Sequence, residues 1–255
     1  MRLLAAGQRP VSNVVDVSNY VMLELGKPIH TFDASAVSDG RIVVRLARDG
    51  ERLETLDHVD RELTADTLII ADPRGPIGIA GVMGGAESEI GPDTTDVVVE
   101  SAIFDPISIR RTAFRYALRS EASLRFEKGQ EHRLAKLGAD RTARLIAEWA
   151  EGQVAVGAVD TNPDEPPPIR VAFRPARVDR LLGVASSAAD QAAILERVGV
   201  TTGSAPSGTS VLVASAPQPL EVDSDEAETL IATVPTWRRD LQIEADIAEE
   251  VARVR

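Results

Sequence analysis

The sequence predicts an α+β protein in two parts, a mixed α/β domain with a central sheet followed by a smaller α+β domain. Three observations predict it. Short β-branched runs at 41–46, 67–71 and 96–100 have the composition and length of strands. Apolar residues recur at helical spacing at 19–25, 107–117 and 134–149. A proline-rich stretch, 161–168, contains Pro163, Pro166, Pro167 and Pro168 and enters neither a helix nor a central strand. It serves as the linker between domains at 1–160 and 169–255.

Taken in order, residues 2–7 have the pattern of a helix tail closed by Gly7, and 243–255 stops inside a helical pattern, so the chain is expected to be a piece of a longer protein. The helix at 19–25 is closed by Gly26-Lys27-Pro28. A glycine-rich connection at 78–85 separates two of the strand runs and lets backbone amides approach a ligand closely. It is no Walker loop, because no Gly-Lys-Ser/Thr follows. The helix at 134–149 presents Leu134, Leu137, Leu145, Ile146 and Trp149 as its buried face, and Gly152 ends the pattern. The second domain follows as a strand at 169–173, helices at 176–182 and 187–198, a hairpin pairing 211–214 with 229–234, and a last helix. The hairpin tip holds Glu221, Asp223, Asp225, Glu226 and Glu228, a solvated acidic loop rather than a site.

Composition narrows the function classes. With no cysteine among 255 residues, disulfide scaffolds, thiolate zinc sites and cysteine nucleophiles are excluded. No stretch approaches the ~18 consecutive apolar residues of a membrane span, and the N-terminal apolar run is too short for a signal peptide, so a cytoplasmic protein without a membrane role is expected. A net charge of −12 argues against a general polyanion binder and makes DNA an improbable partner. The local exception is 110–133, where Arg110, Arg111, Arg115, Arg119, Arg125, Lys128 and Arg133 outnumber Glu121, Glu127 and Glu131. The simpler reading of that cluster is a solvated helix face.

Three histidines, His30, His58 and His132, are too far apart for a local metal motif. His58 sits in a turn-like Asp57-His58-Val59-Asp60, and His132 lies among charges. His30 follows a helix end and a proline and is itself followed by hydroxyl, aromatic and carboxylate side chains, although a structural histidine fits the same pattern. Glu100 ends the apolar strand of Val97, Val98 and Val99, where a carboxylate serves either recognition or a solvated strand terminus. No catalytic triad is legible. Asp246, Glu249 and Glu250 fall on neighbouring positions of the last helix with Asp240 just before it. These hard oxygen ligands suit Mg2+, and they equally suit an acidic helix start that complements the helix dipole.

The strings RPVSNVVDVSNYVMLELGKPIHTFD (9–33), GVMGG (81–85) and SEASLRFEKG (120–129), with VPTWRRD (234–240) and EEVAR (249–253), closely resemble the bacterial phenylalanyl-tRNA synthetase beta chain over essentially all 255 residues. The resemblance implies a B3/B4 tRNA-editing domain at 1–160 and a B5 domain at 169–255. It further implies a class II, α2β2 ligase that joins phenylalanine to tRNA(Phe) with ATP bound by the alpha subunit, the beta chain hydrolysing mischarged tyrosyl-tRNA(Phe). Editing has a physical rationale, because a largely hydrophobic synthetic pocket rejects an added hydroxyl poorly. Carried over by position, the editing pocket falls on Arg9, Ser18, Asn19, His30, Gly81, Gly84, Glu100, Ser120 and Ala122. In this reading Glu100 accepts the tyrosyl hydroxyl, Gly81, Gly84 and Ala122 leave room for the ring, and His30 positions the ester or the attacking water.

Ser18 and Ser120 stand where threonine is frequent in the family, and Glu121 where aspartate is. The resemblance also assigns Asp240, Asp246, Glu249 and Glu250 to Mg2+ at a site shared with the alpha subunit, with weak or no occupancy expected in this chain alone. The alternative is a non-hydrolytic tRNA-binding or scaffold module of the synthetase.

Overall fold

Caps and buried stripes decide where the elements of the first unit begin and end. The structure, a computed structural model, describes residues 1–204 and 228–255, and it divides into two compact units, Met1–Pro163 and Asp164–Arg255. After a single helical turn, α1 (Arg2–Ala5), the Ser12 hydroxyl accepts the Val15 amide and starts α2 (Asn13–Leu25). Val14, Val17, Ser18, Val21 and Met22 form its buried stripe. The chain then runs through β1 (His30–Asp33), β2 (Val43–Leu46), β3 (Arg52–Glu54), β4 (Asp60–Glu62), β5 (Leu68–Ala71), β6 (Pro76–Ile79), β7 (Met83–Gly84) and β8 (Val97–Glu100). Helices α3 (Pro106–Arg115), α4 (Glu121–Phe126) and α5 (Arg133–Trp149) complete the unit.

All pairings in this unit are antiparallel. The sheet expected at the centre is four-stranded, in the order β2-β5-β6-β7, and β1-β8 and β3-β4 form separate pairs. Phe32, Leu63, Ile69, Ile79, Ile109 and Phe126 fill the main core. Each such side chain contributes about 1.5–3 kcal/mol by leaving water. A smaller cluster of Val17, Val21 and Leu145 joins α2 to α5.

The second unit contains β9 (Arg170–Phe173), α6 (Pro175–Leu182), α7 (Ala188–Glu196), β10 (Thr201–Ser204), β11 (Leu230–Thr233) and α8 (Glu244–Val254). Its antiparallel sheet has the order β10-β11-β9. Val171, Phe173, Val178, Leu195, Ala232, Ile247 and Val251 form its core. Ser187 and Asp190 make a reciprocal capping box at α7, as S-x-x-D predicts.

The α+β class holds, while several local expectations change. The first long helix begins at Asn13 rather than Asn19, because Ser12 supplies the cap. The glycine-rich 78–85 segment is not one connection. Gly78 and Ile79 pair in β6, and Met83 and Gly84 pair back onto them as β7. On α5, Leu145 is buried as expected, but Leu137 and Trp149 are exposed, and Gly138 and Thr142 complete the buried stripe. The helix rests on its small residues because α2 and β8 approach closely. Among the described residues β11 pairs with β10 (Thr201–Ser204) and β9 (Arg170–Phe173), and the expected partner at 211–214, like Glu221, Asp223, Asp225 and Glu226, lies outside the described residues.

Candidate functional site

Antiparallel pairing of β1 with β8 sets His30 directly opposite Glu100. The His30 ring packs edge-on against Phe32 at 4.4 Å between centroids, and its Nε2 is buried with no hydrogen-bond partner. Burial pushes the imidazole down to about 4, so it is neutral at pH 7. Burial pushes the Glu100 carboxyl the other way, up to about 7, against the opposing pull of the Lys27 ammonium. Two groups of opposite chemistry thus meet at one strand end.

Glycines make room for them. A Cβ on Gly84 would lie 2.6 Å from His30 Cε1 and 2.8 Å from Nε2, so the imidazole lies flush against the bare β7 backbone. Gly81 has a φ of +65°, and a Cβ there would meet Ile109 and Phe104 at 2.9 Å and Phe126 at 3.0 Å. The Phe104 and Phe126 rings, 5.1 Å apart, therefore wall this side.

Ser120 caps α4 by accepting the Ser123 amide and donates its hydroxyl to the Val82 carbonyl at 2.7 Å, which ties the helix to the Gly81–Gly84 segment. Ala122 packs against the same core. Ser18 is buried on α2 with its hydroxyl donated to the Val15 carbonyl at 2.8 Å. Asn19 is half-buried beside it and Arg9 is exposed ahead of α2. His30, Gly81, Gly84, Glu100, Ser120 and Ala122 are thus drawn into one region, while Arg9, Ser18 and Asn19 line the neighbouring helix. His58 sits at a φ of +58° in the exposed turn between β3 and β4, and His132 bonds the Asn162 carbonyl.

One contributor escaped the sequence reading. Lys27 is fully buried, with its ammonium donating to the Ala102 carbonyl and lying 5.0 Å from the Phe126 ring centroid. Burial pulls it down to about 8 against the opposing effect of Glu100. The available signal was a lysine between a helix-closing glycine and a proline, which was read only as a helix stop. Ser101 Oγ, next along the chain from Glu100, is also buried without a partner.

The acidic residues of the second unit form a different arrangement. Arg238 binds Asp240 at 2.7 Å and Glu250 at 2.8 Å, and Arg253 also reaches Glu250. The guanidinium holds Asp240 below the usual carboxylate range. Asp246 accepts the Gln242 and Ile243 amides and caps α8, while Glu249 is exposed. Among the described residues no group of three or more His, Asp or Glu side chains is arranged to hold a metal. Asp240, Asp246, Glu249 and Glu250 therefore do not fit an Mg2+ site in this arrangement, because three of them already serve a guanidinium or a helix cap.

At least three of the seven basic residues at 110–133 are held in ion pairs within the unit. Arg115 binds Asp66, Arg119 binds Glu127 and Arg125 binds Glu121. Among the described residues no helix is long and apolar enough to cross a membrane.

An antiparallel strand pair that sets an imidazole opposite a carboxyl, joined in sequence to a compact α+β unit, defines a class that the comparisons make specific. The B3/4 domain model matches residues 1–151 and the tRNA synthetase B5 domain model matches 171–255. The chain belongs to the B3/4 and B5 domain families as these occur together in the phenylalanyl-tRNA synthetase beta chain. It is 44% identical over 252 residues to the phenylalanine–tRNA ligase beta subunit of Moorella thermoacetica, covering 99% of this chain and 29% of that protein. It is 42% identical over 253 residues to the beta subunit of Salinibacter ruber, covering 99% of this chain and 28% of that one. The chain thus spans less than a third of the length of these relatives. An N-terminal fragment of the phenylalanyl-tRNA synthetase beta subunit from Pyrococcus horikoshii aligns at 11% identity and a TM-score of 0.39, over 94% of this chain and 64% of that one.

Proposed function

We propose that the chain carries the editing site of a phenylalanine–tRNA ligase beta subunit, hydrolysing the ester of tyrosyl-tRNA(Phe) to tyrosine and free tRNA. The observation that carries the reading is the buried, unpartnered Nε2 of His30 set opposite the half-buried Glu100. A neutral imidazole at pH 7 positions the ester or the attacking water by a single hydrogen bond. Glu100 accepts the phenolic hydroxyl of tyrosine. Phenylalanine leaves that buried acceptor unpaired, which is worth a large discrimination. Bare Gly84 lets the His30 imidazole lie against the β7 backbone, and bare Gly81 lets Ile109, Phe104 and Phe126 close over the neighbouring turn.

The remainder of the reaction belongs, in this reading, to a class II alpha subunit that binds ATP within an α2β2 assembly in the cytoplasm. tRNA(Phe) is the shared substrate. No step is routed through Mg2+ on this chain, because Asp240, Asp246 and Glu250 are engaged internally.

The test is deacylation of preformed tyrosyl-tRNA(Phe) and phenylalanyl-tRNA(Phe) by the chain, with His30→Ala and Glu100→Ala alongside. Selective loss of the tyrosyl ester, abolished in Glu100→Ala, is the expected result. A folded chain that hydrolyses nothing, alone or with the alpha subunit and the remaining beta segments restored, overturns the reading. It would leave the chain as a non-hydrolytic tRNA-binding or scaffold module.

A further inference from the structure

We propose that Lys27 is a positioning residue for Glu100: its buried ammonium favours the charged form of the neighbouring carboxyl and keeps it in place as the hydrogen-bond acceptor of the site. The inference deepens the editing reading and rests on it. Lys27 has no exposed surface, and nothing about a helix stop requires burying an ammonium there. Its stem is accommodated by Gly138 of α5, where a Cβ would lie 2.9 Å from Lys27 Cγ and 3.2 Å from Ser101 Oγ. Its Nζ is anchored by the carbonyl of Ala102, two residues beyond Glu100, and by the face of Phe126. Those anchors place a positive charge beside the end of β8, with no ion pair to Glu100 among the described residues.

The other charged groups around β8 are occupied or neutral. Across the strand pair His30 is uncharged at neutral pH, and Asp33, opposite Val97, is bonded to Ser35 and Thr94. On α5, which packs against β8, Arg141 is paired with Glu24 and Lys136 with Asp140. Lys27 is the charge that acts on Glu100. A carboxylate buried without such a cation takes up a proton and becomes a donor, and a donor no longer distinguishes a phenol by accepting its proton.

The experiment follows Glu100 by 13C NMR titration in the native chain and in Lys27→Met, together with the pH profile of tyrosyl-tRNA(Phe) deacylation. The Glu100 midpoint should rise by roughly one unit or more in Lys27→Met. Deacylation at pH 7 should then fall by roughly fivefold and approach the native rate by about pH 9, the ratio of ionised fractions for a one-unit rise. Lys27→Arg should restore part of the activity at pH 7. A simple packing role would lower activity equally at every pH.

An unmoved Glu100 midpoint in a folded Lys27→Met chain overturns the proposal, as does a pH-independent loss of deacylation. If that variant does not fold, Glu100→Gln supplies the reciprocal measurement: the Lys27 midpoint should drop below its native value, and an unchanged midpoint is equally fatal. Should the native protein show no deacylation, the editing reading fails, while the two titrations still decide whether Lys27 governs the charge of Glu100.

Discussion

The imidazole of His30 and the carboxyl of Glu100 respond to pH in opposite directions, and the folded protein balances them. His30 falls from its ordinary value to about 4 on burial, so the unfolded chain binds the extra proton first and acid weakens the fold as pH drops from 6.5 towards 4. Glu100 rises to about 7, so the folded chain binds the extra proton and acid strengthens the fold as pH drops from 7 towards 4.5. Each slope is on the order of 1 kcal/mol per pH unit, and between pH 4.5 and 6.5 they oppose one another. Urea denaturation as a function of pH should therefore show His30→Gln gaining stability from pH 7 to 5 relative to the native chain, and Glu100→Gln losing it. Parallel pH profiles for the two variants would refute the assignment. At Gly84 the limit is steric: Gly84→Ala drives a methyl group into the imidazole. Deacylation should fall roughly 100-fold for a displacement of this kind, with far-UV circular dichroism unchanged.

Helix α4 shows how one element links capping to the site. The Ser120 hydroxyl accepts the Ser123 amide and donates to the Val82 carbonyl, so Ser120→Ala removes a cap and leaves that carbonyl without its side-chain donor. The loss should be about 1–2 kcal/mol by urea denaturation. A Ser120→Thr variant should keep both bonds, because it retains the hydroxyl that makes them. The elements legible in the sequence were those whose own residues decide them. β-Branched runs gave β2, β5 and β8, and Ser187-x-x-Asp190 gave the start of α7. The strand character of Gly84 was not legible, because β7 exists only by pairing with β6. Leu137 and Trp149 were misplaced on α5 for a related reason. A periodic pattern identifies a helix, while the neighbour it packs against decides whether leucines or Gly138 and Thr142 face inward. The site was legible through its motif residues. Lys27 was not, because its role arises from Ala102 and Phe126, roughly 75 and 99 positions further on.

At the scale of the molecule, Met1–Pro163 and Asp164–Arg255 each enclose a hydrophobic core of their own. A unit that buries Phe32, Ile69, Ile79, Ile109 and Phe126 around three antiparallel sheets has the core size that autonomous domains need, and the shorter unit closes its three-stranded sheet under three helices. Within the shorter unit Glu250, with 2% of its side chain exposed, is held by Arg238 and Arg253. Arg238→Met leaves that carboxylate short of its main partner and should destabilise the unit by roughly 3 kcal/mol. Added Mg2+ should leave the native melting temperature unchanged, since Asp240 and Asp246 are already engaged.

The division itself is testable by expressing residues 1–163 and 164–255 separately. Each piece should give a dispersed 1H-15N spectrum that overlays the corresponding signals of the whole chain. The first piece holds His30, Gly84, Glu100 and Lys27, so it should retain whatever tyrosyl-tRNA(Phe) deacylation the whole chain shows. A folded first piece that has lost that activity would mean that the second unit contributes to substrate binding, and an unfolded first piece would refute the independence of its core.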